Sequence, residues 1–230
     1  MIISHQYKFI FIKTKKTAGT SIEVFLSQSC EENDIVTPIV PRIFPHRERN
    51  HKGLWNPLPE ILENKKYQKR FASTIGDLLN QRKFYNHIPA WVLRQRVPKN
   101  IYDNYFKFCV ERNPWDKTLS HYHRVKDRRG KDFSIEKYFQ EKNFSINYPL
   151  YTDRKGGLIV DKVLKYETLI EDLLQVFGML GIPFLGDLGV RAKSEHRTDR
   201  RHYKSIFTNE QRLLIEKNFA NEIQMHGYVY

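Results

Sequence analysis

The sequence predicts an α/β fold in which a central, mostly parallel sheet is flanked by helices. Short apolar segments typical of strands alternate with helical segments along the chain. Two of the strand–helix junctions carry basic and hydroxyl residues, and such junctions meet at the carboxyl ends of parallel strands. The 230 residues are enough to bury one sizeable core. We therefore expect a single domain over 1–230.

The first predicted element is a strand over 7–13, which has the apolar and aromatic density of a buried strand. A turn over 14–19 follows it. Ile22, Phe25 and Leu26 then fall at i, i+3 and i+4, the spacing of one helical face. The chain is therefore predicted to open with a strand, a turn and a helix.

A long segment with little regular structure is predicted next. Residues 31–59 carry five prolines and many polar side chains, a composition typical of a loop. We expect the wider segment 31–82 to form a loop-rich cap or insert over the site.

The remaining predicted elements alternate between helix and strand. Pro114 suits the first position of a helix, because a proline there needs no partner for its missing N–H. Gly181 and Pro183 end a later helix. In chain order these elements are a helix over 88–96, a strand over 105–110, a helix beginning at Pro114, a strand over 162–166, a helix over 169–180 and a last helix over 209–220.

The composition indicates a basic protein. Lys and Arg outnumber Asp and Glu by 39 to 26, and the formal net charge is +13. Such an excess attracts nucleic acid, anionic membranes, phosphorylated cofactors or acidic glycans. No stretch approaches 18 continuous apolar residues, and no signal-peptide pattern is found, so neither a transmembrane segment nor a leader is expected. Two cysteines fit a reducing compartment, and the cytoplasm is the expected location.

The turn after the first strand has the residue types of an anion-binding loop. Its small residues let backbone N–H groups converge at the start of a helix, where the helix dipole favours an anion. Lys16 adds a positive charge, and Thr20 and Ser21 add hydroxyl donors. The lysine precedes the glycine, which distinguishes the turn from a Walker A loop and argues against an ATPase or kinase. An ordinary connection with capping hydroxyls has a similar composition, so the turn alone predicts only an anion site.

The second strand–helix junction, 106–122, reads FKFCVERNPWDKTLSHY. Arg112 leaves the end of the strand as a planar fork that matches a phosphate. Ser120 follows about two turns along the helix, where its hydroxyl can donate to the same group. A strand end followed by an amphipathic helix with a structural arginine is the alternative interpretation.

Both junctions resemble motifs of sulfotransferases that use 3′-phosphoadenosine 5′-phosphosulfate (PAPS). The string FIKTKKTAGTSI at 11–22 resembles the family's 5′-phosphosulfate loop, F-I-H-I-P-K-T-G-G-T-S-I. Lys15 stands where proline is usual and Ala18 where glycine is usual. We expect Ala18 to be tolerated if its backbone keeps a negative φ.

The second junction resembles the family's 3′-phosphate element, R-[ND]-P-[WY]-D-R-x-x-S-x-Y. Lys117 replaces the usual arginine, so a contact from it is expected to be monodentate. Segments 159–169 and 203–228 resemble later segments of the family. The resemblance therefore covers most of the chain and is weakest between residues 30 and 82.

The resemblance implies a three-layer, P-loop-like fold and transfer of a sulfuryl group from PAPS to an acceptor hydroxyl, leaving PAP and requiring no metal. It implies that Lys16 is catalytic and stabilises charge on the leaving phosphate. The late basic stretch 191–201 matches a mobile loop over the cofactor, although a solvated basic loop has the same composition. The cofactor-binding residues that the resemblance implies are Lys15, Lys16, Thr17, Ala18, Gly19, Thr20, Ser21, Arg112, Ser120, Arg200 and Arg201.

His87 is the predicted general base. Residues 85–90, YNHIPA, resemble the G-H-x-x-A element of uronyl and heparan sulfate 2-O-sulfotransferase-like proteins, where the histidine is the proposed base. These relatives imply a carbohydrate acceptor. A histidine that caps or packs at the start of the next helix is the alternative, and His46, His51 and Glu23 are other candidate bases.

Two other functions stay open from the sequence. A metal-dependent nucleotide-phosphate enzyme, such as a small-molecule kinase, would bind ATP with Mg²⁺. A basic nucleic-acid-binding protein would fit the net charge and the 13% of aromatic residues. No recognised nucleic-acid motif is found, so no specific nucleic acid is expected as a partner. His121 and His123 lie two apart on a predicted helix and point to different faces, which makes them poor metal ligands.

Overall fold

The computed structural model describes residues 1–63, 68–190 and 201–230. Within these ranges five strands form one sheet: β1 (Ile2–Ser4), β2 (Phe9–Phe11), β3 (Ile35–Val36), β4 (Phe106–Glu111) and β5 (Lys162–Lys165). Their order across the sheet is β3-β1-β2-β4-β5. β2, β4 and β5 are parallel neighbours, whereas β1 is antiparallel to both β2 and β3. Four of these five strands therefore run in one direction, and the predicted mostly parallel sheet is confirmed.

β1 and β2 open the chain, and from α1 onwards helices precede and follow the strands in the described ranges. Short 3₁₀ turns lie at Tyr166–Thr168 and Tyr203–Ser205. The described α-helices are α1 (Gly19–Gln28), α2 (Leu58–Glu63), α3 (Gln68–Leu79), α4 (Ala90–Arg96), α5 (Lys99–Asn104), α6 (Pro114–Arg129), α7 (Ile135–Glu141), α8 (Tyr148–Tyr151), α9 (Leu169–Leu180), α10 (Asn209–Asn218) and α11 (Ala220–His226).

The sheet lies between two layers of helices because its strands alternate apolar side chains on both faces. Phe9 and Phe11 of β2 pack with buried residues of α1 and α9. Ile10 and Ile12 point to the opposite face and pack with buried residues of α4, α5 and α8. The predicted α/β class, with helices flanking a central sheet, is confirmed.

A third apolar cluster positions α6, the helix that carries Ser120. Trp115 and Leu119 of α6 pack there with Tyr138 of α7 and Phe219, which follows α10. Pro114 occupies the first turn of α6, and the Asn113 side chain caps it by accepting from two backbone N–H groups. The start of α6 is thus where the sequence places it.

The segment 31–82 is more regular than predicted. β3 extends the sheet at one edge, and α2 and α3 form in its second half. β3 has two residues, too few for an alternating pattern to show in the sequence. The interpretation of this segment as a cap over the site stays a prediction.

Other element boundaries follow the predictions closely. α9 spans the predicted residues, and Gly181 ends it in the left-handed conformation. The last predicted helix is divided at Phe219 into α10 and α11. In the ranges that the structure covers, no helix combines the length and apolar content that a membrane span requires.

Candidate functional site at the carboxyl ends of β2 and β4

The turn between β2 and α1 adopts a conformation that suits an anion. Lys16 and Ala18 both have positive φ, 64° and 58°. The first bond of α1 runs from the Ile22 N–H to the Ala18 carbonyl at 3.2 Å. The N–H groups of Gly19 and Thr20 precede this bond and cannot join the helical ladder. Left-handed residues in such a turn arrange backbone N–H groups around a common centre.

The condition under which we expect Ala18 to be tolerated, a negative φ, is not met, because Ala18 has φ 58°. A side chain at positive φ costs roughly 1–2 kcal/mol, so a glycine would be more stable than alanine at this position. Lys16 carries the same strain two residues earlier. Backbone strain of this kind concentrates at functional sites, where the surrounding structure maintains it.

Asn147 holds the Lys15 backbone in place. Its side chain accepts from the Lys15 N–H at 2.8 Å and donates to the Lys15 carbonyl at 3.0 Å. It also donates to Glu111 at 3.2 Å, and both Asn147 and Glu111 are fully buried. The sequence analysis missed Asn147, because an asparagine in a loop 132 residues from its partner has no local signal.

The side of the turn that faces β2 is tightly packed. A Cβ added at Gly19 would lie 2.9 Å from the Lys13 Cγ and 3.3 Å from the Thr14 carbonyl, so a side chain there would force Lys13 or the turn backbone to shift. The Thr17 hydroxyl points inward and lies 2.8 Å from the Thr14 hydroxyl. Thr17 is therefore available to an anion through its backbone rather than its side chain, whereas Thr20 is half-buried and Ser21 is buried.

Arg112 joins the two junctions that the sequence singles out. One terminal nitrogen donates to the Lys16 carbonyl at 3.0 Å, and its Nε donates to Asp116 at 2.8 Å. The second terminal nitrogen lies 2.6 Å from the same Asp116 carboxylate, and the guanidinium stacks 3.9 Å from the centre of the Tyr166 ring. These contacts use three of its five N–H donors. Ser120 lies on α6 after this arginine and is half-buried.

Lys117 does not face the candidate site. It is fully buried, and its Nζ donates to Glu111 at 2.7 Å and lies over the Phe219 ring. The expected monodentate contact to the cofactor is therefore wrong. The cause is the rotation of α6, which turns this lysine towards a buried carboxylate.

His87 has the tautomer of a general base. Its Nδ1 lies 2.9 Å from the Lys13 carbonyl. A carbonyl only accepts, so Nδ1 carries the proton and Nε2 is left as the basic nitrogen of the neutral ring. Burial, followed by the nearby Lys13 cation, lowers the pKa of His87 to about 4. The ring is therefore neutral at pH 7, and its backbone, at φ 58°, is held in the left-handed region.

The other candidate bases have different surroundings. Glu23 is fully buried, and its carboxylate contacts Lys13, the Met1 amino group and Thr37. His46 is buried, and burial lowers its pKa. Compared with Glu23 and His46, His87 has the arrangement that better suits a base.

Positive charge surrounds the Lys16 turn on the α6 side as well. His121 donates to or accepts from the Tyr138 hydroxyl at 2.9 Å. Burial, and then the charges of Lys16 and Arg124, lower the pKa of His121 to about 4. This concentration of cations favours an anionic ligand beside the turn.

The late basic stretch is described only in part. Arg201 lines a cavity of about 550 Å³, together with Leu119, Lys126 and Lys131. Leu119 directly precedes Ser120, so this cavity lies beside the predicted 3′-phosphate element. Arg200 and the rest of the stretch from residue 191 lie outside the described residues.

Comparisons with known proteins place the chain in a family. No protein-family model matches it. An uncharacterized protein of Archaeoglobus fulgidus is 41% identical over 102 residues, which cover 42% of this chain and 84% of the archaeal protein. The chain belongs to the family of this archaeal protein.

One solved structure aligns with the chain along most of its length. It is the crystal structure of a sulfotransferase from Alicyclobacillus acidocaldarius, which covers 96% of each chain at 17% identity with a TM-score of 0.40. Similarity at this level carries no functional inference. The residues of the site carry the functional proposal instead.

Proposed function

We propose that the protein is a sulfotransferase that moves a sulfuryl group from PAPS to an acceptor hydroxyl. The observation that carries this proposal is the bond between Arg112 and the Lys16 carbonyl. Through this bond the Lys16 turn, with its backbone N–H groups, lies against the second junction. In that junction the spacing from Arg112 to Ser120 resembles a 3′-phosphate element. An anion site beside a second basic site fits a nucleotide that carries phosphates at both its 5′ and 3′ positions.

The residues present fit PAPS at both ends. The turn would hold the 5′-phosphosulfate with its backbone N–H groups and Lys16. The two remaining N–H donors of Arg112 and the Ser120 hydroxyl would hold the 3′-phosphate, with Arg200 and Arg201 as further candidates. When bound, PAPS supplies the sulfuryl group, and PAP is the leaving group.

The chain's own residues supply charge stabilisation and a base. Lys16 and the turn N–H groups stabilise negative charge that develops at the 5′-phosphate, the type of contribution that preorganised donors make in many enzymes. His87, neutral and with a free electron pair on Nε2, accepts the proton of the acceptor hydroxyl. The Lys13 carbonyl keeps the imidazole in that tautomer throughout.

The residues of the two cofactor loops do not define the class of acceptor. The resemblance implies a carbohydrate, whereas the residues named above require only a hydroxyl. A cytoplasmic location, the absence of a specific nucleic-acid partner and the absence of a metal requirement belong to the same proposal.

Thermal unfolding of the protein with PAP, with ATP plus Mg²⁺, or with DNA tests the proposed function. We expect PAP to raise Tm in the presence of EDTA, because a ligand that binds only the folded state stabilises it by an amount that grows with the logarithm of its concentration relative to Kd. Adenosine 5′-monophosphate, which lacks the 3′-phosphate, is the matched control and should raise Tm less. A response to ATP plus Mg²⁺ or to DNA with none to PAP would contradict the proposal in favour of a kinase or a nucleic-acid-binding protein.

A further inference from the structure

A cavity of about 360 Å³ lies beside the segment that carries His87. Pro38 and Asn86 both line it, and the Asn86 side chain donates to the Pro38 carbonyl. Asn86 also accepts from the Thr37 hydroxyl at 3.3 Å and from the Lys13 Nζ at 3.4 Å. Lys13 therefore contacts both the cavity wall, through its Nζ and Asn86, and His87, through its carbonyl.

The cavity wall is mostly apolar. Pro38, Val40, Phe84 and Tyr85 are the apolar and aromatic residues of the lining. Phe84 is almost fully buried, and its N–H donates to the His51 carbonyl at 2.9 Å, which connects two segments of the lining. A wall of this composition favours a ligand with an aromatic or aliphatic body.

The charged groups of the lining are basic. Lys52 and Arg82 contribute to it, and among the described residues that line the cavity none is acidic. Arg82 is paired with Asp77, whereas Lys52 is exposed. An anionic group on the ligand would therefore find a complementary charge at Lys52.

A polyhydroxylated sugar matches this lining poorly. His51, Asn80 and Asn86 offer polar atoms to some of its hydroxyls, but most of the exposed lining surface is apolar, and a polar group buried without a hydrogen-bond partner costs about 1–3 kcal/mol. The volume also suits one small molecule, since it lies at the lower end of the range for ligand pockets.

We propose that this cavity binds the acceptor, and that the acceptor is a small aryl or alkyl alcohol that carries an anionic group. The inference rests on the proposed sulfotransferase function, and it names the acceptor class from this chain's own residues. The apolar body lies against Phe84 and Val40, the anionic group meets Lys52, and the hydroxyl lies on the Asn86 side, towards the segment that carries His87.

Calorimetric titration of the PAP complex with four acceptors tests the assignment. The probes are 3-(4-hydroxyphenyl)propionate, the neutral 4-propylphenol, glucuronate and methyl glucoside. We expect the aryl acid to bind most tightly, 4-propylphenol to bind more weakly and the two sugars to bind least. Tighter binding of glucuronate or methyl glucoside than of both phenols would overturn the assignment in favour of a carbohydrate acceptor.

Two exposed variants locate the binding in this cavity. Lys52→Glu should weaken the aryl acid by at least about tenfold, because an attraction is lost and a repulsion is added, and should leave 4-propylphenol unchanged. Val40→Asp should weaken both phenols. The controls are Lys217→Glu and Val229→Asp, exposed residues of the same types outside the lining. If each variant and its control bind the phenols with the same affinity, the inference is overturned.

PAP binding separates this inference from the proposed function. If PAP binds and the phenols do not, the sulfotransferase proposal stands and the acceptor assignment is wrong. If PAP does not bind, both are wrong.

Discussion

The Arg112 guanidinium donates to the Lys16 carbonyl across 96 residues of sequence. The two residues follow β4 and β2, which are parallel neighbours, so their junctions meet at one edge of the sheet. Asp116 and the Tyr166 ring hold the guanidinium in place. The Lys16 turn is therefore kept in its strained conformation by a contact from the second junction.

Replacing Lys16 by methionine tests its role in transfer. The variant keeps the length of the side chain and removes its charge. We expect turnover to fall by about 10²–10³-fold, because one preorganised donor to developing charge contributes ~3–4 kcal/mol. Sulfuryl transfer from labelled PAPS is the measurement.

Lys142→Met is the matched control for that variant. Lys142 is exposed at the end of α7 and has φ 51°. It therefore has a left-handed backbone like that of Lys16 but lies outside the anion-binding turn. Its turnover should equal that of the wild type. A Lys16→Met enzyme that keeps more than about a tenth of its turnover would contradict the assignment.

His87→Asn should abolish transfer and leave PAP binding unchanged. The asparagine can still donate to the Lys13 carbonyl, but it has no nitrogen that accepts a proton near neutral pH. Turnover and the PAP dissociation constant are measured on the same preparation. Near-normal turnover in this variant would show that another group is the base.

The stability of the protein should fall as the pH drops below about 6.5. The pKa values of His87 and His121 are each lowered from 6.5 to about 4, so between these pH values the unfolded chain binds protons that the folded chain does not. Each histidine contributes up to roughly 3 kcal/mol, fully present above pH 6.5 and lost towards pH 4.

Urea unfolding at pH 7.5, 6 and 5 measures this dependence. His87→Asn and His121→Asn should each flatten the decline, and the double variant should flatten it further. A wild-type free energy of unfolding that stays constant from pH 7.5 to 5 would be inconsistent with two neutral, buried imidazoles.

Ala18→Gly should stabilise the protein by about 1 kcal/mol, because glycine adopts a φ of 58° without steric cost. Ala72→Gly is the matched control, since Ala72 is exposed within α3 and glycine there should destabilise by about 1 kcal/mol. Chemical denaturation of both variants measures the change in the free energy of unfolding, which should be positive for Ala18→Gly and negative for Ala72→Gly. The same sign in both would argue against the left-handed backbone at Ala18.

Asn147→Asp should weaken PAP binding and lower stability by about 1–3 kcal/mol. The aspartate can still accept from the Lys15 N–H, but it cannot donate to the Lys15 carbonyl and it adds a charge beside the buried Glu111. Asn104→Asp, on the exposed surface of α5, is the control. Unchanged PAP affinity would show that Asn147 has no influence on the turn.

Local signals predicted much of the fold. β2 and β4 are dense in apolar residues, and α9 ends at a glycine, so each is recognisable within one short window. β1 and β3 were missed, because they have only two or three residues and, unlike β2, do not stand in a longer apolar run.

The candidate site was predictable in its residue types but not in its contacts. The strain at Ala18 depends on a turn conformation that the composition does not reveal. Asn147 contacts Lys15 through a long-range bond, and no spacing in the sequence relates the two.

The sequence by itself determined the α/β class, the two basic junctions and the order in which they occur. Only the tertiary structure decided which charged side chains face those junctions. Lys117 is paired with the buried Glu111, and Glu23 is paired with the buried Lys13. Arg112, in contrast, donates to the Lys16 carbonyl. The physical reason is that burial and pairing depend on helix rotation and on partners far away in the chain, neither of which a local pattern contains.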